Sequence, residues 1–344
     1  SGPLWSYGYV DGYADGSARL YFAFHHLIID TVSWRILLSD IKSLYLGDSL
    51  LEKGSSYRQW VSAVSGYATQ YSSEQSYWDK VLSYSKNSYV RCKDLLRDSL
   101  VISSSKSRTL LSSVHISYST EINDILLTAL AYSLNVVGGN TRHVVSLESH
   151  GRTDLFTDLD VSSTVGWFTS VYPVLLELGT DYSRSIKQIK ESLRSVVNNG
   201  IGYGALGNSR YTDIVFNYLG QFDSDSGYWQ VVPESSGMMS DVEEQSSLIN
   251  ISCFVMHGEF HFKFHSYLSK DLHKELVNSF SSSLDSIISH CEEVSSLGVY
   301  SHTPSDFPEV NLSIDFLESL EGRYTLEGLY PATSLQQGFV YHAL

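Results

Sequence analysis

The chain has 344 residues, of which 42% are hydrophobic and 13% aromatic. This composition excludes a disordered chain, and the length is sufficient for a large core and for two domains or lobes. The formal net charge is -15, from 23 Lys and Arg against 38 Asp and Glu, which argues against a broad binding surface for nucleic acid or anionic membrane.

The N-terminus and the cysteines indicate the cellular compartment of the protein. No apolar run approaches the roughly 20 residues of a membrane span, and the N-terminus lacks a secretory signal. Cys92, Cys253 and Cys291 are odd in number and have no metal-ligand or redox spacing, which indicates buried thiols in a reducing compartment. We therefore expect a cytoplasmic protein. Because the chain starts at Ser1 without a methionine, we also expect a piece of a longer protein.

The first chemically informative segment joins an apolar strand to an amphipathic helix. Residues 20–24 are short, aromatic and apolar, as in a buried strand, and apolar residues then recur at helical spacing. His25 and His26 end the strand, and Asp30 or Thr31 caps the helix. Because successive strand residues point to opposite faces, at most one of the two histidines can point into a given cleft. For His26, a hydrogen-bonded core residue and an acid/base residue both remain open, whereas a structural capping role is favoured for Asp30.

Further helices and strands are predicted along the chain, mixed rather than in strict alternation. Helices are expected at 57–82, 121–137, 183–197 and 271–294, strands at 143–147, 170–178, 213–219, 249–257 and 260–267, a polar connector at 84–107 and a linker at 303–308. In the last strand, phenylalanine alternates with polar residues, which indicates one buried and one wet face. Lys187, Lys190 and Arg194 lie on the polar side of their helix, either as a solvated face or as a basic docking patch.

One of the predicted strands ends at a candidate acid/base residue. The strand at 143–147 delivers Glu148 into a loop, where a carboxylate is most often only an exposed side chain. Glu148 gains a chemical role if it faces His26, because a carboxylate and an imidazole on opposite sides of one carbon form an acid/base pair. No serine lies in a Gly-x-Ser-x-Gly elbow and no P-loop is completed, so nucleophilic catalysis and phosphate binding are not supported.

Five separated segments together resemble the motif series of epimerization domains from nonribosomal peptide synthetases, in the same order. They are residues 25–37, 120–127, 148–152, 164–170 and 216–222. The Val-Ser-Trp-Arg sequence after the histidines and the Phe-Asn-Tyr-Leu-Gly-Gln-Phe segment favour this branch over ordinary condensation domains. The resemblance runs from about residue 1 to 308, and residues 330–338 resemble the opening motif of a following condensation domain.

The resemblance implies an α/β fold, the chloramphenicol-acetyltransferase-like two-lobed V of the condensation-domain superfamily, with an incomplete N-terminal lobe. It places the remainder of the N-terminal lobe, with the histidine motif, at 1–110 and a C-terminal lobe at 111–300. A linker and the start of a following condensation domain would occupy 301–344. The expected partners are a peptidyl carrier domain and adjacent synthetase domains, with no nucleic acid and no membrane.

The resemblance also implies an isomerase that inverts the α-carbon of an aminoacyl or peptidyl thioester. The substrate would be carried on the phosphopantetheine arm of a carrier domain, and the chain would bind no cofactor of its own. By the same resemblance, His26 and Glu148 transfer the proton, and Asn217 and Tyr218 line the same cleft. The structural residues of the motif would be His25, Asp30 and Arg35. Two other functions stay open: an amide-forming condensation domain, and a non-catalytic module that only docks a carrier.

The sequence departs from the family pattern at two positions. Ser149 replaces a usual glycine and is expected to narrow the approach to the preceding carboxylate. Ser163 stands where the family commonly has an arginine. If that arginine normally braces Asp30, its loss leaves Arg35 or Arg152 as substitutes, or leaves the motif loosened.

Overall fold

The structure is a computed structural model, and it describes residues 2–85, 89–222, 229, 232 and 247–343. The chain forms two compact units that interleave in the sequence. Unit 1 comprises Ser1–Ser83, Val145–Pro173 and Val197–His257, and unit 2 comprises Tyr84–Val144, Val174–Val196 and Gly258–Leu344. The domain boundaries expected from the sequence, at residues 110 and 300, stay a prediction. Among the residues described, no helix is long and apolar enough to cross a membrane.

The described residues form strands and α-helices in a mixed order. The strands are β1 (Trp5–Val10), β2 (Arg19–Phe24), β3 (Leu96–Ile102), β4 (Arg142–Ser149), β5 (Ser170–Glu177), β6 (Ile214–Gln221), β7 (Ile249–Met256) and β8 (Glu259–Ser266). The α-helices are α1 (Thr31–Leu46), α2 (Tyr57–Gln70), α3 (Gln75–Ser83), α4 (Ser104–Leu110), α5 (Ile122–Gly138), α6 (Tyr182–Arg194), α7 (Ile201–Ala205), α8 (Lys270–Ser296), α9 (Ile314–Glu321) and α10 (Ser334–Ala343). Each predicted helix and strand has a counterpart here, so the expected α/β class is confirmed.

Unit 1 opens with the antiparallel pair β1 and β2, followed by α1. A 3-10 turn at His26–Ile28 connects β2 to the helix. Asp30 is the N-cap residue, as predicted: its Oδ1 accepts a hydrogen bond from the Ser33 backbone N–H at 2.7 Å. Gly47 ends the helix with φ of 83°, a left-handed conformation that glycine adopts without strain.

The helical region predicted at 57–82 is divided into α2 and α3 by a 3-10 turn that ends at Glu74. The turn brings the Glu74 carboxylate inward, where it accepts hydrogen bonds from the Tyr67 hydroxyl at 2.5 Å and the Trp78 indole at 3.0 Å. Because Glu74 is buried, these donors replace water. The apolar side of α2 packs into a core formed by Trp60, Tyr67, Val161, Phe168 and Ile201.

Parallel strands in unit 1 set the position of the candidate site. β6 pairs in parallel with β7, and it also pairs in parallel with β4, where Leu147 is opposite Phe216. The strand order in this part of the sheet is β7-β6-β4-β5. Because parallel strands run in the same direction, their carboxyl ends meet at one edge. The last residues of β4 and β6 are therefore neighbours.

Unit 2 contains the antiparallel pair β3 and β8 and the packed helices α5 and α8. In β8, Phe260, Phe262 and Phe264 are fully buried and alternate with more exposed residues, as predicted. The prediction of a polar connector at 84–107 is wrong, because this stretch contains β3 and the start of α4. β3 lies at the end of the strand order and most of its side chains are exposed, so it lacks the apolar pattern of a buried strand.

The basic residues of α6 do not form the solvated face or docking patch that the sequence suggested. Lys187 and Lys190 are buried, with 3% and 1% of their surface exposed. Lys190 donates to both carboxylate oxygens of Asp306 at 2.7 Å, and Lys187 donates to Glu318 at 2.9 Å. Arg194 is ion-paired as well. These contacts hold the segment predicted as a linker, together with α9, against α6.

Candidate active site

Glu148 and Asn217 lie side by side at the carboxyl ends of β4 and β6. The parallel register of the two strands brings the side chains together, and Asn217 Nδ2 donates a hydrogen bond to Glu148 Oε2 at 2.5 Å. Burial raises the pKa of Glu148, and the nearby charge of His26 acts in the opposite direction. The net pKa of Glu148 lies above its ordinary value, which suits a carboxyl group that exchanges protons near neutral pH.

His26 lies in the 3-10 turn after β2, where its side chain is exposed. Its imidazole contacts the Trp167 indole in a T-shaped arrangement, with the ring centroids 5.2 Å apart. His26 and Glu148 both belong to unit 1, and His26 contributes to the electrostatic environment of Glu148; their joint role in proton transfer stays a prediction. His25 has a different role, because its Nδ1 accepts a hydrogen bond from the Leu27 backbone N–H and so fixes the turn.

Asp30 is paired with Arg152, which settles the alternative that the sequence left open. Arg152 Nη1 lies 2.7 Å from Asp30 Oδ2, and both side chains are almost completely buried. The Arg152 guanidinium also lies over the Phe168 ring, 4.1 Å from its centroid. Burial would raise the pKa of Asp30, but hydrogen bonds from Arg152 and Ser33 outweigh it and hold that pKa below its usual range. These are the contacts of a structural carboxylate.

The other candidate partner, Arg35, braces the end of β6. Its Nη2 donates to the carbonyl oxygens of Leu219 and Gln221, each at 3.3 Å. Between these residues Gly220 has φ of 84°, and a Cβ there would lie 2.6 Å from the guanidinium. Glycine is therefore needed for this close approach. Arg35 thus has structural contacts, but not with Asp30.

The structure separates the two side chains that were expected to line one cleft. Asn217 and Tyr218 are consecutive residues of β6, so they point to opposite faces of the sheet. Asn217 contacts Glu148, whereas Tyr218 lies opposite Cys253 in the register with β7. Burial raises the pKa of Tyr218 to about 12. The contact with Glu148 supports Asn217 as a site residue, whereas the strand geometry gives no such support for Tyr218.

Ser149 does not narrow the approach to Glu148. It follows Glu148 in the same strand and so points to the other face. Its hydroxyl lies 2.7 Å from the Ser170 hydroxyl and donates to the Asn199 carbonyl oxygen at 3.3 Å. Ser163 is exposed, and Arg152 supplies the cation that Asp30 needs.

Two residues beside the candidate site, Trp167 and Ser33, were not predicted from the sequence as site residues. Ser33 is completely buried, and its hydroxyl bonds both the backbone of Gly166 and the Arg152 guanidinium. Trp167 lies in the resembling segment 164–170, but no spacing rule connects it to His26, which is far away in the sequence. In the part of the chain that the structure describes, no group of three His, Cys, Asp or Glu residues is arranged to hold a metal ion.

Comparison with known proteins places this arrangement in a family. Residues 1–303 match the family model described as the condensation domain. The chain belongs to the condensation-domain family. Bacitracin synthase 3 of Bacillus licheniformis is 33% identical over 370 residues, which cover 96% of this chain and 6% of that protein. This condensation-family chain therefore spans a small part of the synthetase it resembles.

Solved structures agree with the family and the fold. The epimerization domain from the third module of tyrocidine synthetase B is similar with a TM-score of 0.74 and 30% identity, over 84% of this chain and 72% of that one. VibH, a condensation enzyme of nonribosomal peptide synthesis, has a TM-score of 0.61 and 14% identity, over 86% of this chain and 73% of its own. At that identity VibH shows the fold alone. The condensation-domain fold expected from the sequence is confirmed.

Proposed function

We propose that this chain is an isomerase that epimerizes the α-carbon of an aminoacyl or peptidyl thioester. The substrate is carried on the phosphopantetheine arm of a peptidyl carrier domain, supplied by an adjacent domain of the synthetase. The observation that carries the proposal is the buried Glu148 carboxylate, which accepts a hydrogen bond from the Asn217 amide and has a raised pKa; His26 is its proposed partner in proton transfer. The sequence motifs and the similarity to a tyrocidine synthetase epimerization domain support the same function.

The chemistry of the proposed reaction needs two groups that exchange protons. A thioester acidifies the α-proton, so a base accepts that proton and the electron pair moves onto the thioester oxygen as an enolate. An acid then returns a proton to the opposite face of the same carbon, and the configuration inverts with no net gain or loss of protons. General acid and base groups each contribute about 10²- to 10⁴-fold to the rate of such a step. His26 and Glu148 take these two roles and exchange them in the reverse direction.

Asn217 holds one of the two Glu148 oxygens. Its amide donates to Oε2, so we assign the other oxygen, Oε1, to the substrate proton. The raised pKa of Glu148 brings its proton affinity closer to neutral pH, where a general acid or base is most effective. The Asn217 amide thus orients the Glu148 carboxylate, and burial raises its pKa.

The test is deuterium exchange at the α-carbon of an aminoacyl thioester loaded on a carrier domain. With the unchanged chain in D₂O, we expect deuterium wash-in and a mixture of L and D residues after hydrolysis of the thioester. His26→Ala and Glu148→Gln should abolish both. His342→Ala and Glu309→Gln are matched controls, because both side chains are exposed and neither belongs to the site.

Other results would identify the alternative functions. An amide product that requires two loaded carriers would indicate condensation, which the family model also allows. Carrier binding without deuterium exchange would indicate a non-catalytic docking module. Exchange that persists in both His26→Ala and Glu148→Gln would show that other residues move the proton.

A further inference from the structure

We propose that Trp167 is a positioning residue that holds the His26 imidazole in its working orientation, and that Ser33 fixes the backbone that carries Trp167. This inference rests on the proposed function and adds a residue to the same site.

The His26 imidazole depends on an aromatic contact for its orientation. Within residues 2–85, 89–222, 229, 232 and 247–343, it makes no side-chain hydrogen bond, whereas the neighbouring His25 ring accepts one from Leu27. The contact that remains is with Trp167, at a centroid distance of 5.2 Å and an interplanar angle of 64°. This edge-to-face arrangement is one that aromatic rings prefer. The indole therefore restrains the rotation of an otherwise exposed imidazole.

The backbone around Trp167 is fixed at three consecutive residues. The Gly166 N–H donates to the Ser33 hydroxyl at 3.1 Å, and the Gly166 carbonyl accepts from that hydroxyl at 2.9 Å. The Trp167 carbonyl accepts a hydrogen bond from the Tyr57 hydroxyl at 2.8 Å. The Phe168 N–H donates to Asp30 at 3.1 Å. The indole is 39% exposed, yet it projects from a segment whose backbone has little freedom.

Ser33 makes every hydrogen bond that its hydroxyl can make. A serine hydroxyl has one donor and two acceptor positions. Here it donates to the Gly166 carbonyl and accepts from the Gly166 N–H and from Arg152 Nη2, the last at 2.9 Å. The residue is completely buried, so no water can replace it. Ser33→Ala leaves a backbone N–H, a carbonyl and one guanidinium N–H without this partner, and the segment carrying Trp167 loosens.

The first test separates orientation from binding. Misplacement of a reacting group by about 1 Å can cost about 10²-fold in rate. We therefore expect Trp167→Ala to lower kcat for α-proton exchange by about 10- to 100-fold, with little change in KM. Trp167→Phe should retain most of the rate, since it keeps an aromatic edge near His26. Tyr341→Ala is the matched control, because Tyr341 is an exposed aromatic residue of unit 2 that contacts a different histidine, His342.

The second test does not depend on turnover. Because an imidazole in contact with an indole alters the indole fluorescence, the signal of Trp167 should report its contact with His26. We take the difference between the unchanged chain and Trp167→Phe at a fixed pH, which removes the other five tryptophans from the measurement. This difference should change in His26→Gln, which lacks the imidazole, and should shift in the same direction in Ser33→Ala.

The two tests can fail separately. If the unchanged chain exchanges no α-proton but the His26-dependent fluorescence change is present, the proposed function is wrong and the contact stands. A Trp167→Ala variant with unchanged kcat, or a fluorescence difference that does not respond to His26→Gln, overturns the positioning role. If Ser33→Ala does not fold, the exposed position of Trp167 keeps the proposal open to refutation through Trp167→Ala.

Discussion

The buried ion pair between Asp30 and Arg152 holds together the segments that carry the proposed proton-transfer residues. Arg152→Ala removes a guanidinium 2.7 Å from Asp30 and leaves a carboxylate that is 3% exposed without its cation. The same change removes the hydrogen bonds of Arg152 to Ser33 and to the Thr164 carbonyl, and its contact with the Phe168 ring. Removing one partner of a buried pair costs about 3–5 kcal/mol of unfolding free energy.

The unfolding free energy lost in Arg152→Ala should depend on pH. In the unchanged chain the pKa of Asp30 is lowered, so its contribution to stability is present above the unfolded value of about 3.9 and is lost as the pH falls through the lower folded value. Without Arg152, burial dominates and the folded pKa of Asp30 rises above the unfolded one. The variant then carries a penalty at neutral pH that disappears as Asp30 becomes protonated. The stability difference between the two proteins should therefore shrink as the pH is lowered from 7 towards about 4.

The assay is urea unfolding of both proteins at several pH values, followed by tryptophan fluorescence. Arg142→Ala is the matched control, because Arg142 also pairs with a carboxylate, Glu177, but in an exposed position. We expect its urea midpoint to stay close to that of the unchanged chain. A loss below about 1 kcal/mol for Arg152→Ala, or a loss that is constant between pH 7 and 4, would refute this account of the ion pair.

Three other changes test separate parts of the structure. Asn217→Ala removes a donor that favours the ionised form of Glu148, so the pKa of Glu148 should rise further. The acidic limb of the pH profile for α-proton exchange should then move to higher pH, and an unmoved limb would contradict this role. Gly151→Ala would place a Cβ 1.7 Å from the Phe168 carbonyl oxygen at φ of 66°, and should destabilise the chain by about 2–5 kcal/mol in urea unfolding. Gly16→Ala, at φ of 75° with open space around it, should cost about 1–2 kcal/mol, and equal losses would contradict the predicted clash. Lys190→Ala leaves Asp306 unpaired, and limited proteolysis should cut near residues 303–321 faster than in Lys106→Ala, whose ion pair with Asp285 is exposed.

Local patterns predicted the regular elements well, because those patterns act over a few residues. The apolar periodicity of α5 and the two-residue alternation of β8 reflect faces that are buried in the structure. β3 was missed because it ends the strand order and has few buried side chains. The burial of Lys190 was missed because its partner, Asp306, lies 116 residues away, and a helix-face pattern cannot show a long-range ion pair.

The site was predictable residue by residue but not as an arrangement. Resemblance to a motif series proposed His26, Glu148 and Asn217, whereas the bond between Glu148 and Asn217 exists because β4 and β6 pair in parallel at one register. Tyr218 was predicted from the same motif as Asn217. The two are consecutive residues of a strand, so their side chains point to opposite faces of the sheet. Trp167 lies within one of the resembling segments, but its contact with the His26 ring is visible only in the tertiary structure.

The position of the Asp30–Arg152 pair bears on how variants of the histidine motif should be interpreted. Asp30 follows His26 by four residues, and Arg152 follows Glu148 by four. One buried ion pair therefore joins the two short segments that carry the proposed acid and base. Loss of activity in an Asp30 variant would then reflect displacement of both groups rather than a chemical step at Asp30. A double variant that replaces both partners with uncharged residues avoids the unpaired charge, and it should recover stability relative to Arg152→Ala while activity stays low.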